Sequence, residues 1–166
     1  DGITPEATSL ASRCRDGDIP TTIISNRDFE VFFSKHQGNG TKIDLVVFSA
    51  PQLSIFELKT LAELLSNVAV SKDTTLLAVT SPQVAADAAR MGITKRIESA
   101  GGLVLQGMCF YQSYAREMAE LNGWKTLMTN SVKLTNIISG YGYTPFLGSM
   151  SACVASAVAG EVVVGS

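Results

Sequence analysis

Four short apolar runs, each followed by a helix-like stretch, constrain this chain more than any other feature. They are IDLVVFS at 43–49, TLLAVT at 75–80, LVLQG at 103–107 and TLM at 126–128. Runs of this length with no polar alternation suit strands covered on both faces. Between them lie segments with helix signals. Ser54 and Glu57 have capping-box spacing in a helix expected over 51–66, with Leu58, Leu61, Leu64 and Leu65 on one face. Ser81-Pro82 opens a helix running to about Met91, and Asn122-Gly123 closes one that begins near Tyr114. Shorter helices are expected over 94–99 and 131–138, and a last one over 149–159. Strand and helix in strict alternation predict parallel βαβ units, and so a three-layer α/β/α sandwich with a mostly parallel sheet.

The remaining elements are weaker. Residues 1–20 read as an irregular lead-in broken by Pro5, Gly17 and Pro20. The β-branched stretch 21–25 suggests a short strand, and Asn26 an N-cap for a helix to about His36 with Phe29, Phe32 and Phe33 on its apolar face. Phe146 is expected to end a short fifth strand, and 161–164 to form a small terminal one.

Composition narrows the function. With 13 basic and 15 acidic residues, and no basic stripe, nucleic-acid binding has no electrostatic support. No apolar run nears the roughly 20 residues that cross a bilayer. The first ten residues, DGITPEATSL, lack the basic and apolar regions of a signal peptide. Three widely spaced cysteines make no disulfide framework, so a reduced, cytoplasmic setting is expected.

In a parallel sheet, ligands lie outside the carboxyl ends of the strands. That rule places residues 49–52, Thr80, Ser81, Cys109 and residues 129–131 along one edge. Thr129, Asn130, Ser131 and Lys133 bring hydroxyls, an amide and a cation to a strand-to-helix turn, which suits an anionic group. A plain capping role explains Asn130 or Ser131 but not Lys133. Cys109 follows a strand and Cys153 starts a helix, where thiolates are favoured and iron–sulfur chemistry is open to them. Spacing alone reads them as small buried hydrophobes, because no CxxC-type pattern is present. Cys14 reads as an incidental free thiol, and His36 as a solvated charge at a helix end. Tyr141 and Tyr143 suit packing more than a pocket, and Trp124 the core.

Several pieces, in order, are similar to the C-terminal portion of the large component of aconitase X, a dehydratase branch of the aconitase superfamily. They are GITPEA at 2–7, IDLVVFSAPQLSIFEL at 43–58, TSPQVAADA from Thr80, GMC at 107–109, LMTNSVK at 127–133 and GSMSACVASAVAG at 148–160. The resemblance implies elimination of water from a small hydroxy acid: cis-3-hydroxy-L-proline first, mevalonate 5-phosphate as the alternative. It implies an iron–sulfur cluster of [2Fe-2S] or related type, or a mononuclear iron, with Cys109 and Cys153 at positions of metal ligands. It places Thr129, Asn130, Ser131, Lys133 and Gln52 around the substrate. The partner it implies is the remaining domain or subunit of the same enzyme, which would supply a third metal ligand, and the chain alone is expected to be inactive. Residues 1–166 would then be one α/β domain of a larger enzyme. The chain also departs from the family's pattern. Gln52 stands where a His is common, Ser151 and Ala152 replace acidic residues before Cys153, and no acidic residue precedes Cys109 at Gly107-Met108. These changes imply a divergent substrate or a weakened metal site, and leave open a domain kept for binding or assembly after losing its chemistry.

Overall fold

The computed structural model describes Pro5, Ser9 and residues 20–163. Chain contacts divide it into two compact units, residues 1–31 and residues 32–166. In the first unit, residues 21–25 are exposed and join no strand. The helix that follows, α1 (Asn26–Ser34), is capped by Ser25 instead of Asn26. The Ser25 amide and hydroxyl both donate to Asp28 Oδ2, at 2.7 and 2.6 Å.

The second unit is built on five parallel strands: β1 (Leu45–Leu53), β2 (Thr75–Thr80), β3 (Gly102–Gln106), β4 (Thr126–Thr129) and β5 (Thr144–Leu147). Their spatial order is β3-β2-β1-β4-β5, parallel throughout. The helices are α2 (Ile55–Leu64), α3 (Pro82–Arg90), α4 (Ile93–Ser99), α5 (Ala115–Asn122), α6 (Val132–Ile138) and α7 (Met150–Ala159). The chain winds outward from β1 to β3, then returns past β1 to β4 and β5. Parallel crossovers are right-handed, so reversing the winding direction moves the helices to the other face. Two buried clusters follow from this. Val46 and Phe48 of β1 point into one, with α2, α3, α4 and α7; Leu45 and Val47 point into the other, with α5 and α6. Each fully buried Phe or Val contributes about 1.5–3 kcal/mol to holding the layers together.

Two boundaries differ from the sequence expectation. Pro51 does not start a helix: β1 continues through it to Leu53, which pairs with Thr80 after an irregularity in the ladder. The helix begins only at Ile55, behind a complete Ser54/Glu57 capping box. At the other end, Glu161 makes one isolated antiparallel bridge to Lys42 instead of a strand, and the expected 161–164 element runs beyond the described residues. Trp124 is half-buried at the margin of the second cluster. No helix among the described residues is long and apolar enough to cross a membrane.

Candidate functional site

The winding direction reverses between β1 and β4, and their carboxyl ends flank the crevice this leaves. Open α/β sheets bind ligands at such a switch point. Three segments converge there. The first is the tip of β1. Ala50 adopts a left-handed conformation, φ 58°, a cost of roughly 1–2 kcal/mol for a residue with a Cβ. Neighbours hold the tip in place: the Ser131 hydroxyl donates to Ala50 O at 2.5 Å, and the Thr80 hydroxyl to Leu53 O at 2.6 Å.

The second segment is the loop after β3. Gly107, at φ 104°, turns the chain back across the end of β2, and its N–H donates to Thr80 O. Cys109 then lies 3.2 Å from Ser49 Oγ, sulfur to oxygen, and the Phe110 N–H donates to the same hydroxyl at 3.1 Å. The third segment is the turn from β4 into α6. Ser131 caps α6 by accepting the Leu134 N–H, and Thr129 Oγ1 accepts the Ser131 N–H. Lys133 Nζ lies 5.8 Å from the centre of the Tyr111 ring, joining the second and third segments.

The expected site residues therefore separate into two groups. Thr129 is fully buried and Ser131 nearly so, and both are engaged in holding the turn. Asn130 and Lys133 are exposed on the rim. Gln52 is half-buried, and its side-chain amide donates to Gly107 O. Ser49 was not singled out as a site residue. It is 2% exposed and bonds the loop that carries Cys109. Only the crossing of that loop over β2 reveals this role, and no local sequence signal marks it.

The two thiols lie in different clusters. Cys109 is half-buried against the cluster under α5 and α6. Cys153 is fully buried in the cluster on the opposite face, with its S–H directed at Gly148 O, 3.8 Å away. Burial pushes the Cys153 thiol up to about 12, so it is neutral at physiological pH. A coordinating metal deprotonates a thiol outright, so this shift describes the metal-free chain. No group of three or more His, Cys, Asp or Glu side chains suited to a metal ion occurs among the described residues. The described residues thus offer two free cysteines but no third ligand grouped with them for an iron or iron–sulfur centre. Cys14 lies outside the described residues.

His36 is half-buried beside the Phe32 ring, 5.0 Å between centroids, and its carbonyl accepts the Leu147 N–H of β5. Tyr143 is buried, its hydroxyl donating to Ala115 O, and Arg116 lies over the Tyr141 ring. Both tyrosines serve packing.

Five parallel strands wound both ways from β1, with a polar rim at the switch point, define a doubly wound α/β domain. Residues 43–159 match the family model of the aconitase X third domain, and the chain belongs to the aconitase X family. The phosphomevalonate dehydratase large subunit of Methanocaldococcus jannaschii is 32% identical over 132 residues, 76% of this chain and 31% of that protein. The cis-3-hydroxy-L-proline dehydratase of Pseudomonas aeruginosa is 28% identical over 163 residues, 96% of this chain and 28% of that protein. The crystal structure of Thermococcus kodakaraensis aconitase X in its holo form shares the fold, with a TM-score of 0.74 at 22% identity over 90% of this chain and 37% of that one. The chain thus spans about a third of the length of the relatives it matches.

Proposed function

We propose that this chain supplies one wall of the active site of a hydro-lyase that eliminates water from a small hydroxy acid. The convergence of the β1 tip, the 107–111 loop and the 129–133 turn at the switch point carries this reading, together with the dehydratase names of the relatives. Elimination of water requires an anchor for the substrate carboxylate, a base at carbon and an acid at the departing hydroxyl. The anchor is the part this wall supplies. Lys133, steadied by the Tyr111 ring, offers a cation, and Asn130 an amide. Base and acid belong to the rest of the enzyme, a remaining domain or a partner subunit. Any iron or iron–sulfur centre takes its ligands mainly from there too, and no chemical step is assigned here to Cys109 or Cys153.

We propose cis-3-hydroxy-L-proline as the substrate: Lys133 is the one cation of the 129–133 turn, which suits a single carboxylate. The higher identity to a phosphomevalonate dehydratase favours mevalonate 5-phosphate as the second reading. The test is to assay the whole enzyme, with any partner subunit, on both acids. Dehydration of one of them, with KM raised about tenfold or more in Lys133→Ala and kcat changed less, supports the anchor. Turnover of neither acid ends the dehydratase reading, and an unchanged KM in the variant ends the role of Lys133.

A further inference from the structure

The loop that carries Cys109 starts at the edge of the sheet and ends at its centre. β3 is separated from β1 by β2, so Gly107 and its successors cross about two strand spacings, roughly 9–10 Å. The crossing is fixed from the far side. Ser49 accepts the Phe110 N–H and bonds the Cys109 sulfur, and the Gln52 amide takes Gly107 O. All three bonds come from β1, from two residues flanking the left-handed Ala50 and Pro51. Beyond these, the start of the loop is held by the single Gly107 bond to Thr80 O, while Gln112 and Ser113 bond only within the loop. Met108, between the anchored residues, is 55% exposed.

We propose that Ser49 and Gln52 act together as a clamp. They carry the Cys109 sulfur from the edge strand to the switch-point crevice and are positioning residues for that sulfur, not substrate ligands. Ser49 sets the sulfur and the Phe110 amide; Gln52 sets the turn that precedes them. Gln52 thereby changes role: its amide is engaged by the loop backbone instead of facing a ligand. The clamp bears on the site reading above only by shaping the wall that reading uses; its geometry stands apart from it, and its test needs no substrate.

The test is a brief pulse of iodoacetamide on the folded chain, read by peptide mass spectrometry at Cys109 and Cys153 separately. In the unaltered chain Cys109 is alkylated and Cys153, sealed in the opposite cluster, is protected. Ser49→Ala and Gln52→Leu each speed Cys109 alkylation about three- to tenfold with Cys153 still protected, and Ser49→Thr, which keeps the hydroxyl, restores a rate near that of the unaltered chain. Alkylation of Cys109 unchanged in both loss variants, with Cys153 protected, overturns the clamp. Labelling of Cys153 in a variant would report global unfolding. Amide exchange of the unaltered chain then decides: slow exchange at Phe110 supports the clamp, and exchange as fast as at exposed Met108 overturns it. Loss of dehydratase activity alone moves neither readout, so the two proposals fail separately.

Discussion

The two ends of β1 are held by different chemistry. At the start, Asp44 precedes the strand and closes on its neighbour. The Asp44 carboxylate accepts the N–H groups of Lys125 and Thr126 and the Thr126 hydroxyl, at 2.8, 3.1 and 3.0 Å. The backbone of Asp44 also accepts the Thr75 N–H at the start of β2, and Lys42 lies 3.4 Å from the carboxylate. At the far end the bonds go to three elements: Thr80 of β2, the loop after β3 and the turn after β4. The backbone there is strained at Ala50 and the ladder is interrupted. One end spends its polar groups on registering β1 with the strands on either side. The other spends them on gathering loops that the sheet alone would leave apart.

The sharpest way to break this contrast is Asp44→Ala. Three hydrogen bonds to a mostly buried charge are lost, and a destabilisation of about 2–3 kcal/mol is expected in urea unfolding, with Cys109 alkylation in the folded state unchanged. The pH dependence has a definite sign. Burial pushes the Asp44 carboxyl up, but the Lys125 and Thr126 bonds and Lys42 outweigh it and hold the group below its ordinary 3.8. Its stabilisation is therefore complete above about pH 4 and lost as pH falls further, a loss that Asp44→Asn removes from the acid limb of an unfolding series. Ser131→Ala comes next, at about 1–2 kcal/mol, because one hydroxyl both caps α6 and holds Ala50. Cys153→Ala is expected to cost about 1 kcal/mol through lost packing. Its raised thiol also predicts a stability loss as pH rises from 9 towards 12, where the unfolded thiol ionises and the native one resists. Lys133→Ala has the smallest effect on stability, within about 0.5 kcal/mol by thermal unfolding, since its side chain lies on the exposed rim.

The layered fold was legible in the sequence because four apolar runs and their caps are local signals. The Ser54/Glu57 box and the Ser81-Pro82 start stand where the residues place them. Pro51 misled because proline after an apolar run reads as a first helical residue, and only the pairing of Leu53 with Thr80 keeps the chain extended. Residues 21–25 misled for the opposite reason: β-branched propensity alone does not make a strand. At the site, Lys133 and Asn130 were readable as rim groups. The burial of Cys153 agrees with its spacing, which reads it as a small buried hydrophobe, but the face it takes was not legible, since that depends on how α7 seats on the sheet. Nor was Ser49, whose partners are 60 and 61 residues away.

Ser131 has a single hydroxyl proton, and the Ala50 carbonyl holds it. A guest that recruited that proton would leave the Ala50 carbonyl without its donor, while the Ser131 oxygen, which accepts the Leu134 N–H, keeps a second lone pair to offer. Asking Ser131 to donate and asking it to accept therefore have different consequences for the β1 tip.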